Sequence, residues 1–181
     1  MYKSIGVIEL KSIAKGIEAA DAALKSAEID MVSAHAACPG KYEIILTGSI
    51  SNVTAALGHL NSKFQDYVID SSLMGRIDGQ VIEALFSTSE GERGGSLGVI
   101  ETFSAASAIK AADIAVKTAR VTIYDLRVSR GMGGKGIVML TGEIGDVTAA
   151  VEAGANYASG EGQLSSFSTI AAPHKDLWEQ M

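Results

Sequence analysis

The chain has 181 residues, 47% of them apolar but only 6% aromatic, so a core must be built mainly from Ala, Val, Ile and Leu. A net charge of −6 and a pI near 5.0, with no run of Lys or Arg, exclude nucleic acid and anionic membranes as expected partners, because such binding needs clustered cations that displace counterions. No unbroken stretch of about 18 apolar residues is present, and the start, MYKSIGVIELKSIAKG, lacks the long apolar centre of a signal peptide, so the expectation is a soluble cytoplasmic protein.

In chain order, SIGVIEL (4–10) reads as a short apolar strand. A helix follows, in which Ile13, Ile17, Ala20, Leu24 and Ala27 recur at helical spacing and mark an apolar face. EIDMVSAHAA (28–37) is a second strand, CPG (38–40) a sharp turn, and KYEIILTG (41–48) a third strand. ISNVTAALGHLNSKFQDY (50–67) is a second helix with Asn52 as its expected cap, SSLMGRI (71–77) a last strand, and DGQVIEALFSTS (78–89) a short helix leading into the linker SEGERGG (89–95).

The same order then recurs. SLGVIETFSAASAIKAADIAVKTA (96–119) repeats residues 4–27 with 14 identities in 24 positions at an offset of 92, and Ile109, Ala112 and Val116 fill matching places on the helix face. LTGEIGDVTAA (140–150) repeats LTGSISNVTAA (46–56) at 8 of 11 positions, now at an offset of 94. Two residues have therefore entered the second copy between these blocks. Strands tolerate insertions poorly, because one extra residue turns every later side chain to the other face. The insertion is expected in the loop that answers Cys38, SRGMGGKG (129–136), where Gly134 and Lys135 correspond to Gly40 and Lys41. VTIYDLRVS (121–129), KGIVMLTG (135–142) and SSFSTIA (165–171) read as strands, and IGDVTAAVEAGANYA (144–158) as a helix with Asp146 as its expected cap.

Strand, helix, strand, strand, helix, strand, taken twice, predicts an α+β chain. Each half is a split βαβ, ferredoxin-like domain whose small antiparallel sheet carries helices on one face, and the boundary falls between residues 92 and 93 (domains 1–92 and 93–181).

The GVIE start, the AAD helix, the strand ending in LTG and the following V-x-AA helix, each present twice, resemble the bacterial microcompartment shell domain. Two such domains in one chain resemble its tandem, trimer-forming (BMC-T) class, and CPGKYEIILTG resembles the iron–sulfur shell proteins of propanediol-utilisation compartments within that class. The resemblance implies a homotrimer forming a pseudohexameric tile, tiles packing with other shell proteins around encapsulated enzymes, and a central pore bordered by Ala37, Cys38, Pro39, Gly40, Lys41, Met132, Gly133 and Gly134. Encapsulated redox enzymes are candidate partners, and the place is the compartment shell in the cytoplasm.

Three-fold symmetry changes what one cysteine can do. Cys38 is the only cysteine in the chain and cannot by itself complete a metal site, whereas three copies around one axis bring three thiolates together. Thiolates suit iron–sulfur clusters, and three of them would hold a [4Fe–4S] cluster with one iron left to a non-protein ligand. The competing readings of Cys38 are a small buried side chain and a zinc or redox-sensing thiol ring. His35 is expected at a surface or interface, and His59 and His174 lack partners at metal spacing. Glu9 with Glu101, and Asp21 with Asp113, sit at equivalent repeat positions and are expected to make structural contacts. GMGGKG precedes a strand, so it lacks the helix dipole of a phosphate-binding loop. No nucleophile, base and orienting group recur at a recognisable spacing, and an enzyme is not expected. The expected function is a shell tile whose pore cluster transfers electrons across the shell. Its alternatives are a tile with an open metabolite-conducting pore and no cluster, and a ligand-binding regulator of ferredoxin-like fold.

Overall fold

A computed structural model describes residues 4–86, 94–128 and 131–181, and the expected boundary between Glu92 and Arg93 lies outside the described residues. The elements are β1 (Ser4–Leu10), α1 (Ile13–Ser26), β2 (Ile29–Ala37), β3 (Lys41–Gly48), α2 (Ile50–Lys63), β4 (Val68–Gly75), α3 (Gly79–Leu85), β5 (Ser96–Thr102), α4 (Ala105–Thr118), β6 (Val121–Val128), β7 (Gly136–Gly142), α5 (Ile144–Gly160), β8 (Leu164–Ile170) and α6 (Lys175–Gln180). They build two four-stranded antiparallel sheets of identical order, β2-β3-β1-β4 and β6-β7-β5-β8. This is the duplicated α+β architecture the sequence predicts.

The described residues form two compact units. The first comprises 4–77 with 104–106 and 131–134, and the second comprises 78–86, 94–103, 107–128 and 135–181. In the first, one face of the sheet (Ile8, Leu10, Ile44, Leu46) closes on Ala19, Ala22 and Ala23 of α1 and on Val53, Ala56, Leu57 and Leu60 of α2. In the second, Val147, Ala150, Val151, Ala155 and Ala158 of α5 are buried, as are Ile100, Val138 and Leu140 of the sheet.

Strand register locates the insertion. Ala36 pairs with Tyr42 in the first sheet, and its equivalent Val128 pairs with Gly136 in the second. Both second strands also shift register at the same place, between Met31 and Ser33 and between Ile123 and Asp125. The two additional residues therefore fall between 128 and 136, in the loop opposite Cys38, and the sheets stay in step.

Some expectations need correction. The cap of α2 is Ser49, whose hydroxyl accepts the Asn52 N–H at 3.2 Å, while the Asn52 side chain donates to the Glu28 carbonyl at 2.8 Å. Glu143 stands at the cap of α5 without a side-chain hydrogen bond, and Asp146 lies inside the first turn. The α2 helix stops at Lys63, and residues 64–67 form turns. Helix α6 was not anticipated as an element; its Trp178 is buried and meets Tyr124 edge-on, with ring centroids 5.5 Å apart.

The largest departure concerns α1. Its buried side is made of Gly16, Ala19, Ala22 and Ala23, whereas Ile13, Ile17 and Leu24 are 41%, 57% and 50% exposed. Small residues face inward because the helix lies close to β3: a Cβ built on Gly16 would stand 2.2 Å from the Tyr42 Cβ. Neither atom can swing away. Gly16→Ala is therefore expected to cost about 1–3 kcal/mol by overpacking, read as a lower denaturant midpoint at unchanged slope.

Candidate functional site

The turn from β2 to β3 presents the cysteine outward. Ala37 ends β2 and is buried, Cys38, Pro39 and Gly40 are exposed, and Lys41 opens β3 half-buried. The Gly40 N–H donates to the Ala37 carbonyl at 2.9 Å, and Gly40 has φ +91°, a conformation that only glycine adopts without strain. The thiol thus sits at the tip of a tight, hydrogen-bonded turn.

A second loop supports that turn from beneath. Gly134 (φ +85°) packs so closely that an added Cβ would lie 2.5 Å from the Cys38 carbonyl oxygen and 2.9 Å from the Pro39 Cδ, and its own carbonyl accepts the Lys41 ammonium at 3.1 Å. Met132 is half-buried and Gly133 exposed. Residues 131–134 and the Cys38 turn belong to one unit. Gly134→Ala is expected to cost about 1–2 kcal/mol from the left-handed backbone alone. Its clash would also displace the Cys38 turn, seen as faster alkylation kinetics or an altered thiol chemical shift.

Behind the turn lies a charged row that sequence reasoning did not assemble. On the sheet face away from the helices, His35, Glu43, Glu9 and Asp70 are paired in turn across β2, β3, β1 and β4, on a single rung. Glu9 and Glu43 are fully buried, His35 Nε2 stands 3.6 Å from Glu43, and Lys41 Nζ stands 3.6 Å from Glu9. Burial pushes the Glu9 carboxyl above the ordinary carboxylate range, against the opposing pull of Lys41 and of the Ala106 and Ala105 amides. The corresponding pair in the second unit, Glu101 and Lys135, is tighter at 3.1 Å, and that hydrogen bond holds Glu101 below the usual range despite partial desolvation. The recurrence of Glu9 at Glu101 (offset 92) and of Lys41 at Lys135 (offset 94) marks equivalent positions in the two repeats, and only the folded strands bring each Glu to its Lys.

The remaining candidates separate. Asp113 is buried and accepts the Asp78 N–H at 2.9 Å, which bears out a structural contact, while its equivalent Asp21 is exposed and bridges only to Lys25 at 2.6 Å among its described contacts. His59 is exposed on α2, and His174 caps α6 through Nδ1, which accepts the Asp176 N–H at 3.3 Å. Among the described residues no group of three His, Cys, Asp or Glu side chains is placed to hold a metal ion. One chain offers a single thiolate, so a site built from several thiolates requires further copies of Cys38. Among the described residues no helix is long and apolar enough to cross a membrane.

Comparison with known proteins bears on this geometry. A family model described as "BMC domain" matches residues 4–77 and again 96–173. The bacterial microcompartment shell protein PduT of Citrobacter freundii is 36% identical over 181 residues, covering 100% of this chain and 98% of that protein. The carboxysome assembly protein CcmO of Synechococcus elongatus is 26% identical, over 98% of this chain and 68% of its own length. Among solved structures, a microcompartments protein from Desulfitobacterium hafniense DCB superposes with a TM-score of 0.84 at 38% identity, covering 99% of both chains.

Proposed function

The chain belongs to the BMC-domain family, as a structural two-domain protein of a bacterial microcompartment shell, and from this we propose that three copies close into a pseudohexameric tile whose central Cys38 turns hold a [4Fe–4S] cluster.

Exposure supports the ring. Each repeat has two surfaces of the same kind, the outer side of its first helix and the sheet face away from the helices. The sheet face of the first repeat (Ile5, Val7, Ile45, Met74) and the α4 side of the second (Ala105, Ile109, Ala112) are buried. Their counterparts, Ile13, Ile17 and Leu24 on α1 and Val99, Ile137 and Met139 on the second sheet, are exposed or half-exposed. A chain with one unsatisfied surface of each kind makes heterologous contacts with copies of itself, and such contacts close into a ring when the rotation allows. Two repeats per chain make six domains from three chains.

The exposed Cys38 at the tip of its turn carries the cluster reading. Three such thiolates would ligate three irons, leaving the fourth to a non-protein ligand, and the glycine-rich backbone of the surrounding loops offers N–H groups to the sulfurs. When bound, the cluster supplies one-electron transfer across the shell. The chain's own residues hold it: Gly134 fixes the turn, and Lys41 ties the turn's C-terminal end to the loop below. The partners of this function are two further copies of the chain, other shell proteins at the tile edge and redox enzymes inside. Iron and acid-labile sulfide per light-scattering mass, on anaerobically purified protein, test it. About four of each per three chains support the reading. None after anaerobic reconstitution leaves a tile with an open pore.

A further inference from the structure

One contact in the first unit states how a carboxylate of this fold meets a helix. Glu9 Oε2 accepts the backbone N–H of Ala106 at 3.3 Å, in the first turn of α4, and Asp70, its neighbour across β1 and β4, accepts the hydroxyl of Ser104 just before that helix. A helix leaves its first N–H groups without intrahelical partners and carries a positive dipole end there, so a buried carboxylate is a fitting acceptor. The repeat supplies a second set of the same parts. Glu101 is the equivalent of Glu9, Lys135 of Lys41, and Ser12 and Ala14 are the equivalents of Ser104 and Ala106. This second set differs in exposure. The Glu101 side chain is 28% exposed where Glu9 is closed off, and Ala14 is exposed at the start of α1 where Ala106 is fully buried.

We infer that Glu101 is a subunit-recognition residue, whose carboxylate accepts the first-turn amides of α1, at Ile13 and Ala14, from a second copy of the chain. The inference rests on the trimer reading and deepens it by naming the polar contact that fixes how copies meet. Three observations converge on it. Lys135 at 3.1 Å and the Ser165 hydroxyl at 3.0 Å hold the Glu101 carboxylate in place, and a carboxylate that keeps its charge at neutral pH suits a helix N-terminus. At α1, the Ser12 hydroxyl already takes the Lys15 N–H at 3.3 Å, so the carboxylate falls to the amides one and two residues earlier. The apolar stripe of Ile13, Ile17 and Leu24 begins at the same turn and would be seated by the same approach. The stripe supplies contact area; the carboxylate sets register, since a shift along the helix takes it away from the only end with open donors.

The test uses the full chain and two measurements: the trimer dissociation constant by sedimentation, and hydrogen exchange of the segment spanning residues 11–17 in assembled protein. Glu101→Ala is expected to weaken each of three interfaces about tenfold, on the order of a thousandfold in the trimer constant, and to speed exchange of the Ala14 amide. Ser12→Asp provides an independent arm that leaves the fold intact, because Asp caps a helix about as well as Ser. It is expected to weaken the trimer through repulsion with Glu101, and to do so less in a Glu101→Gln background. A trimer with unchanged constant and unchanged Ala14 protection in Glu101→Ala, or a Ser12→Asp effect independent of residue 101, overturns the assignment. A monomeric wild type is the distinct outcome that overturns the trimer reading and this contact together.

Discussion

Cys38→Ser is expected to abolish iron binding while the particle keeps the mass of three chains. The thiol is exposed at the tip of its turn, outside both cores, so its loss removes no packing. The turn itself is closed by the Gly40 N–H on the Ala37 carbonyl and supported by Gly134, neither of which involves the sulfur. Serine is nearly the same size and a far poorer ligand for a cluster that prefers soft thiolates. Iron and acid-labile sulfide should fall from about four per three chains to a trace, and an EPR signal generated by dithionite in the wild type should vanish. A variant that keeps full iron would place the metal elsewhere in the particle. A variant that loses both iron and the three-chain mass would make the cluster a structural staple of the ring, contrary to the independent scaffold drawn above.

The architecture was legible because duplication prints it twice. Two blocks at offsets of 92 and 94 were enough to assign sheet membership and to put the extra residues into the loop between β6 and β7, where Val128 and Gly136 close the last common rung. Helix caps were less legible. Asn52 and Asp146 lie three residues beyond the true cap positions, Ser49 and Glu143, and a polar residue in a first turn looks like a cap when only composition is read. The α1 face failed for a deeper reason. Helical spacing of Ile13, Ile17 and Leu24 reports that a face is apolar, and says nothing of whether the cover comes from the same chain. Closeness to β3 selected Gly16, Ala19 and Ala23 for the inner side, and small residues carry little weight in a periodicity count. At the site, Cys38 was found through its uniqueness, whereas the Glu9–Lys41 and Glu101–Lys135 bridges join residues more than thirty positions apart, a separation no local pattern spans.

That same stripe yields the second large effect. Ile17→Lys is expected to leave the chain folded and to convert the particle to single chains of 18.7 kDa. Ile17 is 57% exposed in the isolated chain, so a lysine there can extend into water and the fold loses little. Between copies the situation reverses: each of three interfaces loses the burial of an isoleucine, about 1.5–3 kcal/mol, and must also strip water from an ammonium without an assured partner. Summed around a ring, this exceeds what a modest interface can absorb. The repeat supplies its own control, because Ile109 occupies the equivalent place on α4 and is fully buried within the chain. Ile109→Lys is expected to unfold the protein, where Ile17→Lys only dissociates it. Circular dichroism beside light scattering separates the two. A three-chain particle that survives Ile17→Lys would mean that the exposed face of α1 is not a contact between copies, and would turn it into a surface for some other shell protein.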